Sequence, residues 1–162
     1  MQPPFSHTFG HPNQGLPLKR PDLPTARVFI VDRSEFVCDR LRALLTSVAT
    51  VVGQACNPAE AAASVMRCRP DIVIVDLTVA EEDEFRLLKQ ISRVSHPRVV
   101  IVLADNMEDA FRQRCLQLGA HYFLDKTHDF ESVQAIISNL DADGGRHLQI
   151  PLLTPMTGKK TP

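Results

Sequence analysis

The stretch Asp71-Ile72-Val73-Ile74-Val75-Asp76-Leu77-Thr78 decides the fold. Its centre, residues 72–75, is a continuous run of β-branched apolar residues with no polar residue between them. Strands that alternate apolar and polar residues have one face in water, whereas a continuous run is typical of a strand covered on both faces. The stretch therefore predicts a central strand of a parallel sheet, and the first charged residue after the run is Asp76.

Runs of the same kind recur along the chain. Two are uninterrupted, residues 28–31 and 99–103, and residues 50–55 and 121–124 are weaker candidates of the same type. Between the runs, apolar residues recur at the three-and-four spacing of amphipathic helices. Five βα units joined by right-handed crossovers predict an α/β fold, a doubly wound five-stranded parallel sheet flanked by five helices. This arrangement is favoured over a barrel of eight such units, because the barrel needs roughly 200 residues or more.

Helix ends can be predicted from residue type. Ser34 is a candidate N-cap of the first helix. The segment Asn57-Pro58-Ala59-Glu60 offers a cap residue, a first-turn proline and an N3 glutamate for the second helix. Gly119 is placed to end the fourth helix. The fifth helix is predicted from apolar residues that begin at Phe130 and end at Leu140.

Prolines indicate the domain boundaries. Six of the twelve lie in the first 25 residues, which show no sustained period, and the chain after Asp141 is again rich in glycine and proline. We predict a disordered proline-rich arm over residues 1–25, one domain over residues 26–141 and a disordered tail over residues 142–162. No second domain is predicted, so the protein is expected to act as a single domain.

Composition argues against several classes of protein. Lysine and arginine number 18 against 19 aspartates and glutamates, a formal net charge of −1, so nucleic acid is not an expected partner. No apolar run approaches the roughly 20 residues of a membrane span, and the N-terminus lacks a signal peptide, so we expect a cytoplasmic protein with no membrane contact. The four cysteines form no C-x-x-C pair and are expected to be reduced, buried hydrophobes.

Charged residues follow the predicted strands, at the edge where ligand chemistry occurs in such sheets. Asp32 follows the first strand, Asp76 the third and Lys126 the fifth. If the first and third strands are neighbours, about 4.8 Å apart, the two carboxylates converge on one acidic pocket within reach of the amine. Geometry leaves three interpretations open: an internal ion-pair cluster, a Mg²⁺ site, and a nucleophilic carboxylate that accepts a phosphoryl group.

Four short motifs are more specific in their order and spacing than any one of them alone. They are Val28-Phe29-Ile30-Val31-Asp32, Asp71-Ile72-Val73-Ile74-Val75-Asp76-Leu77, Leu118-Gly119-Ala120 and Phe123-Leu124-Asp125-Lys126. From about Ala26 to Leu140 the chain resembles the receiver domain of bacterial two-component response regulators. The resemblance implies a flavodoxin-like sheet with the strand order 2-1-3-4-5.

The resemblance also implies a role for each residue of the pocket. It places Asp76 at the phosphoacceptor position, which takes a phosphoryl group from a histidine kinase or a phosphotransfer protein. Lys126 matches the lysine that contacts the phosphoryl oxygens. Asp32, Asp76 and the backbone carbonyl of Thr78 match the ligands of Mg²⁺. Phe123 matches the aromatic residue whose rotamer reports the switch.

Several positions depart from the pattern of that family. Arg33 stands where a second acid is usual, and because a guanidinium cannot bind a cation, we expect Mg²⁺ binding to be weakened or lost. Leu103 replaces the serine or threonine that ends the fourth strand and couples the phosphoryl group to the switch. Ala80, Glu84 and Thr127 replace a proline, a glycine and a proline of the surrounding loops.

These departures leave two main accounts of function. In the first, the protein is a single-domain receiver of a phosphorelay that is phosphorylated on Asp76, with Arg33 as a partial stand-in for the charge of the metal. In the second, it is a pseudo-receiver, locked by an Arg33–Asp76 ion pair, that binds proteins without phosphorylation. An aspartate-nucleophile phosphohydrolase is a third alternative, but Asp76-Leu77-Thr78 lacks the second aspartate of such enzymes, so we expect no enzymatic activity.

The expected output is a contact with another protein. The resemblance implies a downstream partner, or a second copy of the chain, on the face formed by the fourth helix, the fifth strand and the fifth helix. Here that face would draw on residues 107–117, 121–124 and 128–140. Phe111 lies within it and is predicted to belong to the core rather than to act as an exposed anchor.

Overall fold

A computed structural model describes residues 26–78, 82–94, 97 and 99–142, and within them five strands alternate with five helices. In chain order the elements are β1 (Arg27–Val31), α1 (Glu35–Leu45), β2 (Thr50–Ala55), α2 (Pro58–Cys68), β3 (Ile72–Leu77), α3 (Glu82–Arg93), β4 (Val99–Ala104), α4 (Asp109–Gln117), β5 (Tyr122–Asp125) and α5 (Ser132–Ala142). The predicted arm, the predicted tail beyond residue 142, and Ala80 lie outside the described residues.

The five strands form one parallel sheet in the order β2-β1-β3-β4-β5, which confirms the predicted fold class. β1 and β3 are direct neighbours, with Val28 opposite Ile72 and Val31 opposite Val75. β3 pairs along its whole length with β4, so Asp76 lies opposite Leu103. This register brings the carboxyl ends of β1, β3 and β4 to one edge of the sheet.

The continuous apolar runs are explained by two cores, one on each face of the sheet. One core holds Phe29 and Val73 of the strands and is covered by α2, α3 and α4. The other holds Val28 and Ile72 and is covered by α1 and α5. Successive residues of a strand point to opposite faces, so every position of a strand covered on both sides must be apolar.

The predicted helix caps are confirmed. The Ser34 hydroxyl accepts a hydrogen bond from the Val37 amide, and the Asn57 carbonyl oxygen of the side chain accepts one from the Ala59 amide. Gly119 follows α4 with φ at +109°, a conformation that favours glycine. A Cβ atom at this position would lie 2.6 Å from the Ser92 side chain, so close packing against α3 also requires glycine.

Two details of the prediction are wrong: the residue at which the fifth helix begins and the burial of the cysteines. Phe130 precedes α5 instead of opening it, because a turn held by the bond from the Ser132 amide to the Asp129 carbonyl comes first. Phe130 is nevertheless buried, and the Arg40 guanidinium lies 4.1 Å from its ring centroid. All four cysteines are free, as predicted, but Cys56 is exposed and Cys68 is half-buried, so only Cys38 and Cys115 are buried.

No helix of the described residues combines the length and the apolar character that a membrane span requires.

Candidate functional site

The carboxyl ends of β1, β3 and β5 bring three charged side chains together. The Lys126 Nζ atom lies 2.8 Å from Asp76 Oδ1 and 3.2 Å from Asp32 Oδ2. The side chains of Asp32 and Asp76 are 2% and 5% exposed, and that of Lys126 is 18% exposed. The convergence predicted from the strand ends is confirmed, although the sequence alone did not fix which charges pair.

Local hydrogen bonds hold this cluster in place. Asp32 Oδ1 accepts from the Ser34 amide at 2.7 Å, so the N-cap of α1 also orients the carboxylate of β1. The Thr78 hydroxyl donates to Asp76 Oδ2 at 3.2 Å. Lys126 begins the turn after β5, and its amide donates to the Ala104 carbonyl. Backbone and side chains together set the position of both carboxylates.

Asp125 fixes the turn that carries the lysine. Its Oδ1 accepts hydrogen bonds from the amides of Thr127 and His128, and the His128 ring lies 3.0 Å from Oδ2. These bonds hold the pKa of Asp125 below its usual value, chiefly through the His128 amide. Sequence reasoning did not assign a role to Asp125, although a carboxylate followed by two or three residues that it can cap is a recognisable turn signal.

Burial has opposite effects on the acid and the amine of the pocket. It raises the pKa of Asp76, and hydrogen bonds from Lys126 and Thr78 offset only part of that effect, to which the Asp32 charge adds. Burial lowers the pKa of Lys126, but hydrogen bonds and charges of Asp76 and Asp32 outweigh it and raise the pKa above its usual value. Lys126 is therefore a cation at neutral pH.

Arg33 does not pair with Asp76, so that part of the pseudo-receiver prediction is wrong. Its Nη2 atom lies 3.8 Å from Oε1 of Glu84, and Lys126 is the cation that pairs with Asp76. The Arg33 side chain is 59% exposed, whereas that of Glu84 is 5% exposed. The partner of Arg33 was missed, but a signal existed: among the positions that depart from the family pattern, Arg33 and Glu84 carry opposite charges.

Asp76 and the Arg33–Glu84 pair line the same recess. Its wall also includes Asp32, Thr78 and Cys56. The recess has a volume of about 10 Å³, which is about the space that one water molecule occupies. Bulkier ligands therefore need a movement of the wall, to which the exposed Arg33 side chain belongs.

The sequence profile of the response regulator receiver domain matches residues 28–138, well over half of the chain. The chain belongs to the receiver domain family. Among curated proteins, this receiver domain is 30% identical over 101 residues to the chemotaxis protein CheY of Thermotoga maritima. The aligned region covers 62% of this chain and 84% of CheY.

A second relative is much longer than the matched region. The protein-glutamate methylesterase/protein-glutamine glutaminase 3 of Geobacter sulfurreducens is 32% identical over 102 residues, 62% of this chain but 27% of that protein. The chain thus spans about a quarter of the length of that protein. Among solved structures, the signal receiver domain of the response regulator NarL from Mycobacterium tuberculosis is 26% identical with a TM-score of 0.61, covering 75% of this chain and 98% of that one.

Receiver domains generally bind Mg²⁺, and this receiver keeps only part of the ligand set that the resemblance implies. Within the described ranges, no group of three or more histidine, cysteine, aspartate or glutamate side chains is placed to hold a metal ion. Arg33 takes the place of one acid, and both Asp32 and Asp76 pair with Lys126. In the structure the Thr78 hydroxyl donates a hydrogen bond to Asp76. The expected role of the Thr78 carbonyl stays a prediction.

The two predicted switch positions of the receiver are both buried. Leu103 is fully buried beside Asp76 and has no donor group. The Phe123 ring lies 5.8 Å from that of Phe111, which in turn lies 5.5 Å from Phe85, measured between centroids. Phe111 is 4% exposed, which confirms its predicted place in the core. A row of aromatic rings thus links β5 through α4 to α3.

Proposed function

We propose that this receiver domain accepts a phosphoryl group on Asp76 from a histidine kinase or a phosphotransfer protein and signals by contact with another protein. What supports the proposal above all is the pairing of Asp76 with the ammonium group of Lys126 at 2.8 Å. The domain acts in the cytoplasm as a phosphoprotein and has no enzymatic turnover of its own. Receiver domains in general interact with kinases and downstream effectors, so this role fits the family.

The proposed transfer is a displacement at phosphorus. A carboxylate oxygen of Asp76 forms a bond to phosphorus while the bond from phosphorus to the donor histidine nitrogen breaks. The electron pair of the broken bond stays on the imidazole, which then takes a proton from solvent. The product is an acyl phosphate. Because both reactants are anions, nearby cations must reduce their repulsion, and in the described part of the chain Lys126 and Arg33 line or contact this pocket.

The output follows from the charge of the product. A phosphoryl group adds about −1.5 to −2 at neutral pH, in a place where Lys126 already balances two carboxylates. Lys126 begins the turn after β5, so a shift of its side chain is felt by Phe123 and by the row of rings behind it. The face of α4, β5 and α5 then meets the downstream partner or a second copy. Met107, 42% exposed, lies at the edge of that face.

A phosphorylation assay with small donors tests the proposal. The protein is incubated with acetyl phosphate or phosphoramidate, and its intact mass is followed for the gain of one phosphoryl group. Asp76→Asn should abolish the gain, whereas Asp105→Asn, an exposed aspartate just after β4, should not. Absence of the gain in the wild type under every metal condition would contradict the proposal. Steady release of phosphate over many turnovers would indicate a phosphohydrolase instead.

A second candidate function is a pseudo-receiver that binds its partner without phosphorylation. The observations that favour it are the acid pair interrupted by Arg33 and the apolar Leu103 beside Asp76. On this account Asp76→Asn leaves partner binding unchanged, because the Asp76 carboxylate serves only to neutralise Lys126. Co-purification of wild type and Asp76→Asn from the native cell separates the two: equal recovery of the same partner supports the pseudo-receiver.

A further inference from the structure

The first turn of α3 brings a buried carboxylate to the rim of the acceptor pocket. Glu84 is 3% exposed, although its neighbour Asp83 is on the surface of the same helix. Burial of a carboxylate destabilises the folded protein unless cations or hydrogen bonds compensate the charge. Arg33, which reaches across from the loop after β1, supplies a cation at 3.8 Å. The two residues that depart from the receiver pattern with opposite charges therefore meet at the pocket.

We propose, on the basis of the function proposed above, that Glu84 is a positioning residue that holds the Arg33 guanidinium at the acceptor pocket, so that Asp76 is phosphorylated without a divalent cation. In this arrangement Arg33 supplies the second positive charge beside Lys126. Arg33 and Glu84 line the recess that contains Asp76. The metal ligand that Arg33 removes is thus replaced by a charge of the chain itself.

The chemistry of the guanidinium allows both contacts at once. The ion pair with Glu84 uses Nη2, and a guanidinium has five N–H donors in a planar fork. An edge that faces the recess can therefore donate to a phosphoryl oxygen while Nη2 stays on Glu84. Among the described residues, the carboxylates of the two ion-pair groups outnumber the cations by three to two, a formal charge of −1, which is lower in magnitude than with a second acid in place of Arg33.

A purely electrostatic role of Glu84 predicts the opposite result. If its charge acted directly on the reaction, it would repel the incoming anion, and Glu84→Gln would raise the rate of phosphorylation. If Glu84 positions Arg33, Glu84→Gln lowers the rate because the exposed guanidinium is no longer held at the recess. The sign of the change therefore distinguishes a positioning role from a field effect.

The experiment measures the rate of phosphoryl gain from phosphoramidate in a chelator and again with excess Mg²⁺. In the chelator we expect the wild type to be phosphorylated, Arg33→Gln to be slower by about tenfold and Glu84→Gln to be slower by a smaller factor. The matched control is Asp83→Asn, which makes the same change of charge one residue away, in an exposed pair with Arg86. This control should not differ from the wild type.

The double variant provides the decisive comparison. Arg33→Gln/Glu84→Gln should be no slower than Arg33→Gln alone, because Glu84 acts through Arg33. Additive losses would assign Glu84 a structural role and overturn the inference, as would a faster Glu84→Gln or a wild type that is phosphorylated only with Mg²⁺. In those cases the phosphoacceptor function itself survives. No phosphorylation of the wild type in either condition overturns both proposals together.

Discussion

The acceptor pocket has two unequal halves, each made of one cation and its carboxylates. In the first half Lys126 contacts Asp76 and Asp32 at 2.8 and 3.2 Å, and all three side chains are largely buried. In the second half Arg33 contacts Glu84 at 3.8 Å, with the guanidinium mostly in water. The first half matches the receiver pattern, and the second half departs from it.

The difference shows how burial divides the work between two cations. Charges that are shielded from water interact strongly and hold a fixed geometry, whereas an exposed pair is screened by water and salt. The Lys126 half therefore fixes the position of the acceptor carboxylate. The Arg33 half can adapt, because its longer contact and exposed side chain leave room for the phosphoryl group to enter.

The largest effect should come from the loss of the buried cation. Lys126→Ala leaves Asp32 and Asp76 next to each other without their shared partner, and we expect phosphorylation to fall by about 100-fold. Arg33→Gln should lower the rate of phosphorylation by a clearly smaller factor. The measurement is the rate of mass gain from phosphoramidate for both variants. If the two variants lose activity equally, the pocket does not have a dominant half.

The second effect concerns the metal. Arg33→Asp combined with Glu84→Gly restores the acid and the glycine of the receiver pattern and removes the ion pair of the second half. We expect Mg²⁺ to bind this variant at least about tenfold more tightly than the wild type, because a carboxylate is a ligand for this ion and a guanidinium is not. Calorimetric titration with Mg²⁺ measures the affinity of the variant and of the wild type. Unchanged affinity would show that Arg33 does not occupy a ligand position.

A third prediction sharpens the contrast at Leu103, which lies opposite Asp76 on the neighbouring strand. Leu103→Thr and Leu103→Val remove similar volume, and they differ mainly in one hydroxyl group. We expect the threonine variant to have the lower free energy of unfolding, by about 1 kcal/mol or more, since Leu103 is fully buried among apolar residues. Urea denaturation measures both. Equal stability would mean that the hydroxyl finds a polar partner beside Asp76.

The smallest effect is a change in cysteine reactivity. Cys56 is exposed and lines the recess, while Cys38 is buried and burial raises its pKa to about 11. We expect iodoacetamide at pH 8 to label Cys56 well before Cys38, and phosphorylation of Asp76 to slow Cys56 labelling a few-fold because the phosphoryl group fills the recess. Peptide mass mapping gives both rates. Labelling of Cys56 that ignores phosphorylation would place the phosphoryl group elsewhere.

The sequence predicted the Lys126 half and missed the pairing in the Arg33 half for a physical reason. Strands of a parallel sheet end at one edge, so residues just after three apolar runs had to converge. Glu84 lies in the first turn of α3, and the direction in which it points depends on how Phe85 and Leu88 pack on the sheet. That rotation is set by tertiary contacts, which local spacing does not report.

The fold was predictable for a similar reason. Uninterrupted runs such as residues 72–75 can be satisfied only by a strand covered on both faces, and two separate cores do cover the sheet. The boundary of α5 was less predictable, because Phe130 has the apolar character of a helix position but packs from the preceding turn. Hydrophobic spacing identifies what is buried more reliably than which element buries it.

The most direct test is to phosphorylate the wild-type protein with phosphoramidate in a chelator and to locate the group by peptide mapping. The account predicts an acyl phosphate on the peptide that contains Asp76, formed at a rate comparable to that with Mg²⁺, since both cations of the pocket belong to the chain. A phosphoryl group on any other residue, or none without the metal, would contradict it.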